Sequence, residues 1–375
     1  MNSNTITIIN QDSGYLMIDI ANAFVEKGHD VRLVAGRVVG RNIPLHESVK
    51  RTKIIQYKRE STFSRLYTWI LGTIQILFLI WFKFPKDRLL IVSNPPLAPL
   101  LTVFCRNRVD ILIYDVYPDA LHEMDIISSQ HFIVKMWSYF TEKAFRKADR
   151  IITITHGMKS VLNKYASGKN IEVIPLWSDT NFLKPIPKPE NKFIKKNKLS
   201  NKFIILYSGN IGVSSNVNTI VDLAKNTESQ DIMYVIIGEG ARKSQIVSRI
   251  ESENILNCMV LPWQDACMLK YSLAAADISI VTSTQKGTSL SVPSKLFSIL
   301  AVGSPVLCFS TKGSELEAII KKHRFGKSFL PESLNKAIQF IESVKNDAEM
   351  AEKFSTNALS TAKLFSPQNA YKFIK

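Results

Sequence analysis

The sequence predicts an α/β protein built from two doubly wound, Rossmann-like domains facing a cleft. Three observations predict it. Short apolar runs alternate with helical stretches along nearly the whole chain, as in parallel sheets buried on both faces. The alternation stops once, in a proline- and lysine-rich stretch between Leu183 and Lys202, and then restarts. A length of 375 residues exceeds one typical core and suits two.

In the first half, Thr5–Asn10 reads as a strand ending in the polar loop Gln11-Asp-Ser-Gly14, with a helix behind it to Lys27. Gly28-His-Asp30 turns into a second strand, Val31–Ala35. Further strand candidates are Lys53–Tyr57, Arg88–Ser93, Asp110–Val116, Arg150–Thr155 and Ile171–Ile174. After the linker come Phe203–Ser208, Ile232–Gly238, Met259–Leu261, Asp277–Thr282 and Pro305–Phe309. The expected organisation is an N-terminal domain over 1–183, a linker over 184–202 and a C-terminal domain over 203–360. A closing helix over 361–375 is expected to pack back on the first domain.

One segment breaks the pattern. Leu66 to Phe82 carries no charge and contains Trp69, Phe78, Trp81 and Phe82, with Arg65 before it and Lys83, Lys86 and Arg88 after it. About 17 residues is the lower limit for a membrane span. The flanking strands belong to one sheet, which a single span would separate. Two readings stay open: a helix buried against that sheet, or one lying partly in a membrane interface, as its aromatic and basic flanks favour.

With 46% hydrophobic and 10% aromatic residues, the composition is that of a folded protein. The cysteines Cys105, Cys258, Cys267 and Cys308 are far apart and lack metal-binding spacing, which fits reduced side chains in a cytosolic protein. Met1 to Asn10 does not read as a secretory signal. A formal net charge of +16 points to an anionic partner: a phosphorylated substrate or a membrane surface. Nucleic acid is not expected, because the basic residues are scattered and no recognition motif accompanies them.

Each strand end of the second half carries a loop suited to phosphate. Tyr207-Ser-Gly-Asn-Ile-Gly212 follows one strand; its Gly209, Asn210 and Gly212 let backbone amides approach a ligand. Gly238-Glu-Gly-Ala-Arg242-Lys243 follows the next, where Gly238 and Gly240 open the turn and Arg242 and Lys243 add charge. This resembles the start of a dinucleotide fingerprint. Lys243 stands where a third small residue belongs, however, and no ribose-binding acid lies near Val260, so a nicotinamide cofactor is not expected. The third element is Pro293-Ser294-Lys295, opening an apolar helix that Gly303-Ser-Pro305 ends. A lysine there opposes the helix dipole. It becomes favourable once a diphosphate binds, so Lys295 reads as a binding residue.

Together these motifs resemble the family-four retaining glycosyltransferases of the two-domain GT-B fold, over nearly the whole chain. Lys27-Gly-His-Asp-Val-Arg-Leu-Val34, Ala148-Asp-Arg-Ile-Ile-Thr-Ile-Thr155 and Val173-Ile-Pro175 match the family's N-domain, and Tyr207–Gly212, Gly238–Arg242 and Pro293–Pro305 its donor motifs. Asp115-Val-Tyr-Pro-Asp119 is similar to a motif of the bacterial surface-polysaccharide branch that includes N-acetylfucosamine transferases. The resemblance implies a nucleotide diphosphate sugar, UDP-linked, as donor and a polyprenyl-diphosphate-linked oligosaccharide as acceptor. It places the enzyme on the inner face of the cell membrane, in O-antigen or capsule synthesis. Many members carry two glutamates eight residues apart at positions occupied here by Leu290 and Ser298; Ser298 retains the capacity to bond a ribose hydroxyl.

The donor-binding candidates are therefore Gly14, Gly209, Asn210, Gly212, Gly238, Gly240, Arg242, Lys243, Trp263, Ser294, Lys295 and Ser298. Trp263 joins them as a side chain that contacts the base or packs in the core. No Asp-x-Asp occurs, so no metal site is expected and cations must offset the leaving group's charge. Asp115, Asp119 and His122 follow a strand end and are the catalytic candidates, each also readable as a loop or capping residue. The rival readings are a nucleotide-sugar epimerase of the same fold and a catalytically inactive partner subunit.

Overall fold

The structure is a computed structural model that describes residues 4–374 apart from 59, 120–127, 129, 213–214 and 284–291. It divides into two compact units, Met1–Leu176 with Pro367–Lys375, and Trp177–Ser366.

The first unit contains β1 (Thr5–Ile9), β2 (Asp12–Ser13), β3 (Asp30–Ala35), β4 (Arg37–Val38), β5 (Lys50–Lys53), β6 (Arg88–Val92), β7 (Val109–Ile113), β8 (Arg150–Thr153) and β9 (Ile171–Val173). Seven of these form one parallel sheet in the order β5-β3-β1-β6-β7-β8-β9, and β2 and β4 pair separately. Its central strands are apolar on both faces, as a doubly wound sheet requires; Ile8, Leu89, Ile91 and Ile111 are fully enclosed. The helices are α1 (Tyr15–Glu26), α2 (Thr62–Phe82), α3 (Phe132–Lys147) and α4 (His156–Leu162).

The strand expected at 53–57 is displaced. The ladder there uses the polar residues 50–53, pairing Ala35 with Lys53 at the sheet edge. Beyond it the chain turns to serve α2: Ile55 donates its N–H to Gln75 Oε1 at 2.8 Å. Apolarity marked Ile54 and Ile55 as a strand, whereas the edge needed only backbone pairing.

α2 starts four residues before the apolar run, capped by Ser61, whose hydroxyl accepts from Ser64 N at 3.1 Å. It is not a core helix. Only Thr68, Gly72, Ile76 and Ile80 are buried, an i, i+4 stripe along one face. Under that stripe Gln11 donates through Nε2 to Thr68 O at 2.8 Å and to Ile55 O at 3.1 Å. A Cβ on Gly72 would stand 2.6 Å from the same Gln11 nitrogen, so glycine is needed for this close approach.

The second unit contains β10 (Phe203–Ser208), β11 (Ile232–Ile237), β12 (Cys258–Leu261), β13 (Ile278–Ser283), β14 (Val306–Ser310) and β15 (Gly326–Phe329), all parallel in the order β12-β11-β10-β13-β14-β15. Its helices are α5 (Lys192–Lys196), α6 (Asn218–Lys225), α7 (Lys243–Ser252), α8 (Ala266–Leu273), α9 (Lys295–Ala301), α10 (Glu315–His323), α11 (Leu334–Asn346) and α12 (Ala348–Ala362). The stretch read as a linker belongs to this unit's core. Asn191 caps α5 by accepting from Phe193 N at 3.0 Å and donates to Tyr271 O at 2.9 Å, and Phe193 and Ile194 are buried behind it. Prolines and lysines concealed two apolar anchors.

The chain's end also differs from a single helix over 361–375. α12 stops at Ala362, and two 3-10 turns follow, Lys363–Phe365 and Pro367–Phe373. Pro367 lacks the N–H that a continuing helix would need. The second turn belongs to the first unit, where the Arg150 guanidinium donates to Phe373 O at 2.8 Å and to Lys372 O at 3.0 Å.

Candidate functional site

The site grows from the carboxyl ends of β10 and β11. Their pairing continues past the strands into the glycine loops: Gly209 N donates to Ile237 O at 2.9 Å, Ile211 N to Glu239 O at 2.8 Å and Arg242 N to Ile211 O at 3.0 Å. The two loops lie backbone against backbone, which fixes where glycine is needed. A Cβ on Gly238 would fall 1.9 Å from the Gly209 carbonyl oxygen, and one on Gly240 would fall 2.4 Å from Ile211 O and 2.7 Å from Asn210 Oδ1. Gly212 leaves room for the other end of the same amide, since a Cβ there would lie 2.6 Å from Asn210 Nδ2.

Lys295, the first residue of α9, reaches across to the end of β10. Its ammonium stands 4.0 Å from the centroid of the Tyr207 ring, a cation–π contact. A Cβ on Gly209 would come within 2.4 Å of that nitrogen. Tyr207 is fully buried, its hydroxyl donates to Asn210 O at 2.9 Å, and burial pushes its pKa up to about 12. Burial acts in the opposite direction on the lysine, lowering its pKa to about 8. Among the described residues no carboxylate offsets that cost. The result is a half-buried cation over an aromatic face, beside a glycine loop.

Residues 189–361 match the family model described as glycosyl transferases group 1. That stretch is similar to the group 1 glycosyl transferases. Over 245 residues the chain is 22% identical to the probable glycosyltransferase WbjE of Pseudomonas aeruginosa, covering 64% of this chain and 61% of that protein. It is 24% identical over 188 residues to the putative colanic acid biosynthesis glycosyl transferase WcaI of Escherichia coli K12, covering 49% of this chain and 46% of that protein. The matched part thus spans less than two thirds of either relative. The crystal structure of Anabaena Alr3699/HepE in complex with UDP superposes with a TM-score of 0.74 at 13% identity, over 99% of this chain and 98% of that one. The fold is GT-B.

Within the second unit the remaining candidates separate. Arg242 is half-buried at the cap of α7, while Lys243 is paired with Glu239, Nζ to Oε1 at 2.6 Å. Ser294 is exposed at the cap of α9. Trp263 is 52% exposed after β12, which argues against the core-packing alternative. Ser298 is buried, and its hydroxyl lies 3.0 Å from the Ser178 hydroxyl. Tyr207 and Ser178 were not among the candidates. Tyr207 stood at the head of a recognised glycine loop, but nothing in its spacing showed that Lys295 would lie over it. Ser178 carried no signal.

The other candidates lie in the first unit. Gly14 caps α1, and a Cβ there would meet nothing within 4 Å, so no close approach requires glycine. Asp115 follows β7. It presents surface to solvent, yet protein atoms crowd its carboxyl, and that desolvation raises its pKa above the usual carboxylate range. Asp119 is already engaged: it pairs with Lys164 and accepts from the Tyr165 hydroxyl at 2.7 Å. Its carboxylate thus has two side-chain partners within this unit. His122 lies outside the described residues, as does Leu290.

Proposed function

We propose that this chain is a retaining glycosyltransferase. It moves a sugar from a nucleotide diphosphate donor, UDP-linked, to an oligosaccharide carried on a polyprenyl diphosphate at the inner membrane face. The observation that carries the proposal is Lys295, a desolvated cation over Tyr207 with no described counter-charge, beside the glycine loops at 209–212 and 238–240. A diphosphate placed there receives loop amides, the Lys295 ammonium and the Arg242 guanidinium, which together take up charge as the glycosidic bond to the leaving phosphate breaks. The similarity to a structure holding UDP supports a uridine nucleotide, and the similarity to WcaI supports surface-polysaccharide synthesis.

On the acceptor side Asp115 is the favoured group. Its raised pKa makes it a better base than an ordinary aspartate for hydrogen-bonding the attacking hydroxyl. The deciding experiment is thermal melting with and without UDP, on the wild type and on Lys295→Ala. A charge-assisted hydrogen bond to phosphate contributes roughly 1.5–3 kcal/mol, so the variant should bind UDP about 10- to 150-fold more weakly. The empty variant should melt no lower than the wild type, because the removed charge was desolvated. A variant that melts lower when empty yet keeps the full UDP-induced shift would overturn the donor site. The anomeric configuration of the product, read by NMR, tests retention.

A further inference from the structure

We propose that α2 and α3, joined over Phe104, form a single docking face for an anionic lipid bilayer. This proposal rests on the peripheral-enzyme reading above and assigns its membrane-facing surface. Among the described residues α2 is the one helix long and apolar enough to cross a membrane by length and composition. Its buried stripe is bonded to Gln11, which holds it lengthwise on the first unit. The opposite face is open: Phe63 is 79% exposed, Phe78 54% and Phe82 76%.

The second helix completes the surface. α3 buries Val134, Thr141, Ala144 and Phe145, and leaves Phe132, Ile133, Met136 and Tyr139 exposed at helical spacing. Phe104, itself half exposed, bridges the two helices: Trp81 Nε1 donates to Phe104 O at 2.9 Å, and the Phe104 and Phe140 rings lie 6.0 Å apart. A second link runs through Tyr117, 6.2 Å from Trp69 and 5.6 Å from Trp137 between ring centroids. Two helices that each expose aromatic residues are thus tied to one another through Phe104 and Tyr117. A patch of this kind marks an interaction surface.

Charge selects the bilayer as its occupant. Residues 61–86 and 97–109 contain no acidic residue; Asp87, which lines the same crevice as Lys86 and Arg106, is paired with Arg32 at 3.1 Å, and the one acid on α3, Glu142, is paired with Arg146 at 2.8 Å. At the end where α2 and the Phe104 segment finish, Lys86 and Arg106 line a crevice of about 450 Å³. The other cations there, Arg88 and Arg108, are paired with Asp110 and Asp149. An apolar face bordered by uncompensated cations suits the boundary between acyl chains and anionic headgroups.

The test uses the full chain with vesicles of phosphatidylglycerol and phosphatidylethanolamine, and with vesicles of phosphatidylcholine alone. The chain should sediment with the former and be released by high salt. The double variant Phe132→Ser, Met136→Ser touches α3 alone and should bind those vesicles about tenfold more weakly. Lys86→Glu with Arg106→Glu should lose the preference for anionic lipid. Both variants should keep the wild-type melting temperature and the UDP-induced shift, which separates a failed docking face from a failed donor site. Undiminished vesicle binding by the α3 variant would overturn the two-helix face. So would a concentration-dependent dimer that the α3 variant abolishes while the wild type ignores vesicles.

Discussion

The Lys295 ammonium lies 4.0 Å above the Tyr207 ring and close enough to Gly209 that a Cβ there would fall 2.4 Å from the nitrogen. An aromatic face is a weak partner for a desolvated charge, which is why burial lowers the lysine's pKa from 10.5 to about 8. In the unfolded chain the same lysine returns to its ordinary value. Between about pH 8 and 10.5 the unfolded state therefore holds more protons, and the empty protein should gain stability as pH rises through that window. The gap corresponds to up to about 3 kcal/mol. Urea unfolding of wild type and Lys295→Met from pH 7 to 10.5 measures it: the difference between them should shrink as pH rises. A constant difference would mean that Lys295 is not desolvated.

Gly238 and Gly14 should respond oppositely to alanine. At 238 the added carbon meets the Gly209 carbonyl at 1.9 Å, so the paired loops must separate. Gly238→Ala should cost about 2 kcal/mol or more and remove the UDP-induced melting shift. At 14 the carbon meets open space, and stability should stay within about 0.5 kcal/mol. Equal tolerance at both positions would refute the close approach of the two loops.

Ser178 and Ser298 share a buried hydrogen bond of 3.0 Å. Removing either hydroxyl leaves the other unsatisfied, at about 1–3 kcal/mol. The double variant Ser178→Ala, Ser298→Ala should be less destabilised than the sum of the single variants, which denaturant titration of all four proteins reads as a coupling energy. Additive losses would mean that the two hydroxyls do not depend on each other.

Transfer should persist in excess EDTA, because the sequence has no Asp-x-Asp and Lys295 and Arg242 supply charge at the proposed donor site. A product assay with and without chelator checks this. Loss of transfer that manganese restores would show a metal requirement.

The sequence by itself determined the layers. Buried strands such as Phe203–Ser208 and Ile232–Ile237 are legible because a strand covered on both faces must be apolar throughout, and the glycine loops at their ends are legible because backbone crowding admits no side chain. Local chemistry also marked Lys295 as out of place. Only the tertiary structure decided what surrounds these groups. The polar edge strand at 50–53, the anchors Phe193 and Ile194 in a lysine-rich stretch, and the pairing of Asp119 with Lys164 all depend on partners distant in sequence or on sheet position. The exposed outer face of α2 was undecided for the same reason. A run of 17 uncharged residues reads alike in a core or on a surface, and only the structure shows which face packs: Gln11 bonds to Thr68 O on the buried side, and the other side is exposed.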